Sequence, residues 1–199
     1  QCRVSHMSVT RTKFRALSAD PPWNYGDALA MADTKRSAQS HYSTMTVDQI
    51  IHLGGFGTVA GFETFKDAFL FLWVTNPFLL DGSGARVCRG WGFEPCQVIT
   101  WVKGRMDPKK GIIPHMGMGH FTRGTTEHLI LATRGRPKSL IKDKGAVNFF
   151  IAPRTKHSRK PDEAYALIER LVPGPYVELF AREPRQGWTT WGNELKESA

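Results

Sequence analysis

The chain has 199 residues, 41% of them hydrophobic and 23% charged, with a net charge of +9. That balance fits one globular domain able to bury about 70% of its unfolded surface, and it excludes a disordered chain. No apolar run reaches the roughly 18 residues needed to span a bilayer, and the N-terminus lacks the apolar core of a secretory signal.

Phe14 to Ala19 reads as a short strand that delivers Asp20 to its end. The polar stretch Asn24 to Ser40 has no apolar period and is expected to be a loop. Thr46-Val47-Asp48-Gln49 has capping-box spacing, with Ile50, Ile51 and Leu53 as the apolar face of the helix that follows. Ala68 to Thr75 is a continuous apolar run, the pattern of a strand covered on both faces. Asn76-Pro77 then starts a helix running to about Gly90, weakened in its middle by Gly82 and Gly84.

Gln97 to Val102 is the next strand, and Lys103 to Gly124, basic and rich in Gly and Met, is expected to be a long loop, functional or disordered. Glu127 to Thr133 and Val147 to Ile151 read as strands. Pro161 to Val172 is the clearest helix: Pro opens it, Asp162 and Glu163 favour its positive end, and Ala164, Ile168 and Leu171 share a face. Gly174 ends it, and Tyr176 to Ala181 is a last core strand. Strands alternating with helices imply an α/β fold with a mainly parallel sheet, in a single domain over 7–199. Residues 1–6, which precede Met7, are assigned no role.

Charge is unevenly placed. Lys103 to Lys160 holds 14 Lys/Arg against 3 Asp/Glu, whereas the remainder holds 13 against 15. A basic third of the chain implies a surface facing a polyanion, nucleic acid before membrane. Cys2, Cys88 and Cys96 and the seven histidines show neither disulfide nor metal-ligand spacing, the pattern of a reduced setting without structural metal. Gly55-Phe56-Gly57-Thr58-Val59-Ala60-Gly61 approximates a dinucleotide fingerprint, but it follows a helix and its spacing is wrong.

Asp20-Pro21-Pro22-Trp23 carries the chemistry. A purine's exocyclic amine is a poor nucleophile because its lone pair is delocalised into the ring. Acceptors for both amine hydrogens let the nitrogen rehybridise toward a methyl donor. Asp20 offers a carboxylate, the Pro21 carbonyl a second acceptor on a backbone that two prolines hold extended, and Trp23 a flat face for stacking. The plainer reading is a Pro-rich turn that Asp20 caps.

The tetrapeptide opens a longer resemblance. With His41-Tyr42-Ser43-Thr44-Met45, Phe71-Leu72-Trp73-Val74-Thr75, Trp101-Val102-Lys103, Gly119-His120-Phe121 and Glu127-His128, and with Ser158-Arg159-Lys160-Pro161-Asp162-Glu163, Ile168-Glu169-Arg170-Leu171, Glu178-Leu179-Phe180-Ala181-Arg182 and Trp191-Gly192-Asn193-Glu194, the chain resembles the adenine-N6 methyltransferases. That family includes the catalytic subunit of the messenger-RNA methyltransferase and compact bacterial and phage members.

The resemblance implies a Rossmann-like methyltransferase fold with permuted motif order, and S-adenosylmethionine as cofactor, released as S-adenosylhomocysteine. It implies catalysis at Asp20, Pro21, Pro22 and Trp23. The cofactor would be held by Asp20, Ser158, Lys160, Phe180, Arg182, Asn193 and Glu194, and the target adenine by Tyr42, Trp101, Lys103 and Glu127. DNA is the expected substrate; RNA, or an inactive nucleic-acid-binding subunit of the same fold, is the alternative. A monomer or homodimer, with room for a partner subunit, in the cytoplasm of a bacterial or phage-infected cell completes the expectation.

Overall fold

The computed structural model describes residues 12–25, 44–55, 57–117, 121–154, 159–193 and 195. Along the chain these form β1 (Phe14–Ala19), α1 (Val47–His52), β2 (Gly54–Gly55), β3 (Thr58–Val59), β4 (Phe62–Val74), α2 (Asn76–Leu80), α3 (Ser83–Gly90), β5 (Glu94–Asp107), β6 (Gly111–Pro114), β7 (Thr126–Arg134), β8 (Phe149–Ala152), α4 (Asp162–Leu171), β9 (Tyr176–Leu179) and β10 (Trp188–Trp191). The strands pair in the order β10-β9-β1-β4-β7-β5-β6, with β8 on β5 and the small β2–β3 hairpin on β4.

The sheet has two halves. β1 pairs in parallel with β4 and β9, and β9 with β10. Beyond β4 the direction turns: β7 runs antiparallel to β4 and β5, and β6 antiparallel to β5, while β8 lies parallel to β5. From β1 the chain steps to β4 on one side, then returns through α4 to β9 on the other. A cleft outside the carboxyl ends of β1 and β9 is therefore the place such a sheet makes for a ligand.

Alternation along β4 explains the layers. Leu70, Leu72 and Val74 pack with Ile50, Phe78, Val87 and Trp91 of the α1–α3 side. Phe69, Phe71 and Trp73 pack with Ile99, Leu129, Tyr165 and Ile168 on the α4 side. Both faces are covered, which is why the run carries no polar alternation; each such buried side chain contributes about 2 kcal/mol.

The α1 capping box forms as its spacing implied: Gln49 N–H donates to Thr46 Oγ1 (3.3 Å) and Thr46 N–H to Gln49 Oε1 (2.8 Å). The helix expected over 76–90 is two helices, because Gly82 adopts φ +78° and turns the chain between them. The larger correction concerns Lys103 to Gly124. β5 runs on to Asp107 and returns as β6, a two-stranded ribbon whose turn is fixed by the Asp107 carboxylate accepting from Lys109 N–H (2.9 Å) and Lys110 N–H (3.0 Å). No core lies against it, so Met106 and Ile112 are exposed and the sequence carries no buried-face period. The expected loop at 24–40 falls mostly outside the described residues. Among the described residues no helix is long and apolar enough to cross a membrane.

Candidate active site

Asp20 follows directly on β1, with its N–H toward Leu179 O (3.4 Å). The Pro-Pro segment after it is pinned from several sides. Trp23 N–H closes on Pro21 O (2.8 Å), Met45 N–H donates to Pro22 O (2.7 Å), and Asn24 N–H to Met45 O (3.0 Å). Pro21 O keeps a second lone pair for a further donor.

The anchor is Trp23. Its indole N–H donates to Trp73 O (3.0 Å), and its ring stacks on Phe78 at 4.7 Å with the planes 24° apart. At 5% exposure it has no face to offer a base. The indole thus fixes the tetrapeptide to β4. Trp101 is similarly enclosed: it is 3% exposed, donates to Ala152 O (2.9 Å) and meets Trp73 edge-on.

Four charged side chains form a line beside the tetrapeptide. Lys160, just before α4, bonds Asp20 Oδ1 (3.1 Å) and Glu127 Oε2 (2.9 Å), and Lys103 on β5 bonds Glu127 Oε1 (2.5 Å). Their side chains are only 13–21% exposed. Charges so far from water are tolerable because signs alternate along the line and each is hydrogen-bonded. Aromatic faces help: Lys160 Nζ stands 4.7 Å from the Trp73 ring centre and Lys103 Nζ 5.2 Å from that of Trp101.

Proton affinities follow from this line. Burial raises the Asp20 carboxyl above its ordinary range, against the pull of Lys160. Burial also acts to raise Glu127, but Lys160 and Lys103 together outweigh it and hold that carboxyl down at about 2. Lys160 is raised: burial opposes its charge, and the carboxylates of Asp20 and Glu127 overcome that.

A cleft opens from Asp20 toward the end of β9, lined by Lys160, Arg159, Tyr165, Glu178, Phe180, Arg182, Glu183 and Arg185. Its rim is shaped by an uncommon backbone: Phe180 adopts φ +63°, a left-handed conformation that costs a phenylalanine of order 1–3 kcal/mol. The turn is held by Ala181 N–H donating to Trp191 O (2.9 Å) and by Gly192, where any Cβ would lie 2.2 Å from Ala181 O. Beneath, Tyr165 donates to Glu178 Oε1 (2.6 Å), and the Arg185 guanidinium covers the Tyr165 ring at 3.5 Å.

The structure thus brings together Asp20, Lys160, Phe180 and Arg182 in the cleft, and Lys103 and Glu127 beside them. Asn193 lies exposed in the turn after β10. Tyr42, Ser158 and Glu194 lie outside the described residues. Trp73, Tyr165 and Arg185 were missed: Trp73 read as plain core, and only its place at the end of β4 on the α4 face would have marked it.

The MT-A70 family model matches residues 14–194, the span from β1 through β10. The chain belongs to the MT-A70 family. It is 32% identical to the "N(6)-adenosine-methyltransferase catalytic subunit METTL3" of Homo sapiens over 98% of this chain, and spans 30% of that relative's length. It is likewise 32% identical to the "N(6)-adenosine-methyltransferase MT-A70-like protein" of Drosophila melanogaster, of which it spans 29%. To the "Type II methyltransferase M.MunI" of Mycoplasma sp it is 26% identical over 96% of this chain and 81% of that protein. With MT-A70 membership, the sheet described above is a Rossmann-like methyltransferase fold.

The cofactor that MT-A70 methyltransferases use, S-adenosylmethionine, is a zwitterion at one end and a nucleoside at the other. The cleft's donor set suits it: carboxylates at Asp20 and Glu183 for an ammonium, cations at Lys160 and Arg182 for a carboxylate, and the Phe180 ring beside them.

Proposed function

We propose that this protein transfers a methyl group from S-adenosylmethionine to the N6 amine of adenine in DNA. The observation that carries the reading is the buried Asp20 carboxylate at the end of β1, held by Lys160 at the mouth of the β1–β9 cleft. When bound, S-adenosylmethionine supplies the electrophilic methyl and leaves as S-adenosylhomocysteine.

Everything else falls to the chain's own residues. Asp20 accepts one amine N–H and Pro21 O the other, so the nitrogen lone pair turns out of conjugation and toward the cleft. The Asp20 carboxylate, raised in proton affinity by burial, receives the proton the amine gives up. Lys160 holds that carboxylate in place and would pair with the cofactor's own carboxylate. Phe180, Arg182 and Asn193 would hold the cofactor, and Ser158 and Glu194 are assigned to it by the family resemblance. With Trp23 buried, the purine face passes to Tyr42, while Lys103 and Glu127 set the charge around the base.

Catalysis on this account is positioning and preorganised hydrogen bonding. A duplex substrate presents its adenine by flipping, at about a few kcal/mol. The basic span Lys103 to Lys160 supports a polyanionic substrate, and the 81% span of the type II methyltransferase supports DNA. The 32% identity to N(6)-adenosine-methyltransferases favours RNA as the second reading.

Incubation with S-adenosylmethionine and defined DNA and RNA strands, followed by mass spectrometry of the nucleosides, tests this. N6-methyl-2′-deoxyadenosine is expected; N6-methyladenosine from RNA alone moves the protein to the second reading, and methylation of no adenine in either pool overturns both.

A further inference from the structure

We infer that Arg123 and Arg154 form a seat for one backbone phosphate of the strand that carries the target base, a contact separate from the catalytic cleft. This rests on the reading of the protein as a nucleic-acid methyltransferase and names the part of the substrate that this second site takes.

An open pocket is lined by Met116, Gly117, Arg123 and Arg154. Both arginines are exposed, and among the described residues neither side chain makes an ion pair or hydrogen bond. This contrasts with Arg86, Arg89, Arg159, Arg170 and Arg185, each of which faces a carboxylate. Two guanidinium groups at one concavity, with no acid among the described residues that line it, repel each other, and a phosphate relieves that; its oxygens match the planar fork of arginine.

The backbone ties the pocket to the site. Lys103 N–H donates to Thr125 O (2.7 Å), and Arg123 is two residues before Thr125. Lys103 pairs in register with Ala152, and Arg154 is two residues after it. Both arginines thus stand within about 7 Å of chain from the two partners that flank Lys103, the outer end of the charged line. Gly117 N–H donates to Gly124 O (2.9 Å), closing the pocket's wall, and any Cβ on Gly117 would lie 2.7 Å from that oxygen. Beyond the wall the β5–β6 ribbon carries Arg105, Lys109 and Lys110 outward, so a strand seated here continues over a basic surface.

The test is the salt dependence of binding, because each phosphate neutralised by the protein adds about 0.9 to the slope of log affinity against log salt. A fluorescent duplex DNA oligonucleotide is titrated between 50 and 200 mM salt (about that range) with wild type, Arg123→Gln/Arg154→Gln, Arg123→Lys/Arg154→Lys, and the exposed-charge control Lys66→Gln. The Gln pair is expected to lower the slope by about 1 and raise the KM for DNA about tenfold, with kcat within about twofold. The Lys pair keeps the slope, and Lys66→Gln leaves both unchanged. An unchanged slope in the Gln pair overturns the inference, as does a fall in kcat at unchanged KM. Should the Gln pair not fold by circular dichroism, the two single Gln variants carry the same readout. Wild-type turnover on adenine is measured alongside: its absence would count against the proposed reaction, whereas the slope still reports on the phosphate seat.

Discussion

The parallel and antiparallel halves of this sheet treat charge in opposite ways. At the ends of β1 and β9, ionised groups are taken out of water and each is matched: Asp20 by Lys160, Glu127 by two lysines, Glu178 by the Tyr165 hydroxyl. Beyond Lys103, on the β5–β6 ribbon and in the segment after it, charges stand toward solvent, and Arg105–Asp107 is the one ion pair there among the described residues. On the proposed function, the first half gives up conformational freedom to hold a small molecule in one pose, and the second keeps surface charge available for a large ligand that brings its own counter-charge. β7 joins them, because Glu127 at its start faces both lysines.

That contrast predicts unequal responses to substitution. Lys160→Met leaves two carboxylates facing each other in a nearly dry site. Breaking a buried cluster of this kind costs about 4 kcal/mol, so the variant should melt well below wild type and lose cofactor binding in calorimetry. A melting temperature within a few degrees of wild type would show that the line is loosely held.

Glu127→Gln is next, at about 3 kcal/mol, and its effect is tied to pH. Glu127 binds its proton more weakly folded, at about 2, than in an unfolded chain. Its contribution is therefore complete above about pH 5 and is lost as pH falls toward 2. Denaturant titrations should show the gap between wild type and Glu127→Gln constant at neutral pH and closing in acid. A gap that widens in acid would contradict the assignment.

Tyr165→Phe removes the hydroxyl that bonds Glu178 and should cost about 1–2 kcal/mol, the usual penalty for a buried acceptor left without its donor. Cofactor affinity should weaken with it. On the other half, Lys110→Gln should change stability by less than about 0.5 kcal/mol, as for exposed charges generally. A larger loss would show that the ribbon's charges hold the fold rather than a ligand.

How much of this was legible in the residues divides along the same line. β1, β4, β7, α4 and the Thr46 capping box could be read because burial imposes a period or a cap that the sequence must show. The ribbon could not, since a strand pair with solvent on both sides needs no apolar alternation, and Lys103 to Gly124 looked like loop. At the site, Asp20, Lys160, Glu127 and Phe180 were legible through motif resemblance, but their pairing was not. That Lys160 bridges Asp20 and Glu127 depends on strands far apart in sequence meeting at one sheet edge. The burial of Trp23 and Trp101 was not legible for a related reason: an aromatic beside a functional motif carries no mark that tells a base platform from the wall that supports one.

The central claim is that the Asp20 carboxylate works on the substrate amine rather than serving only as the counter-charge of Lys160. Single-turnover methyl transfer by Asp20→Asn, at saturating cofactor and with cofactor affinity measured in parallel, tests it most directly. The account predicts a rate lower by about a thousandfold or more, in line with losing both a proton acceptor and an oriented hydrogen bond, while cofactor affinity stays within about tenfold. A rate within about tenfold of wild type would contradict it, since an amide then serves as well as the carboxylate.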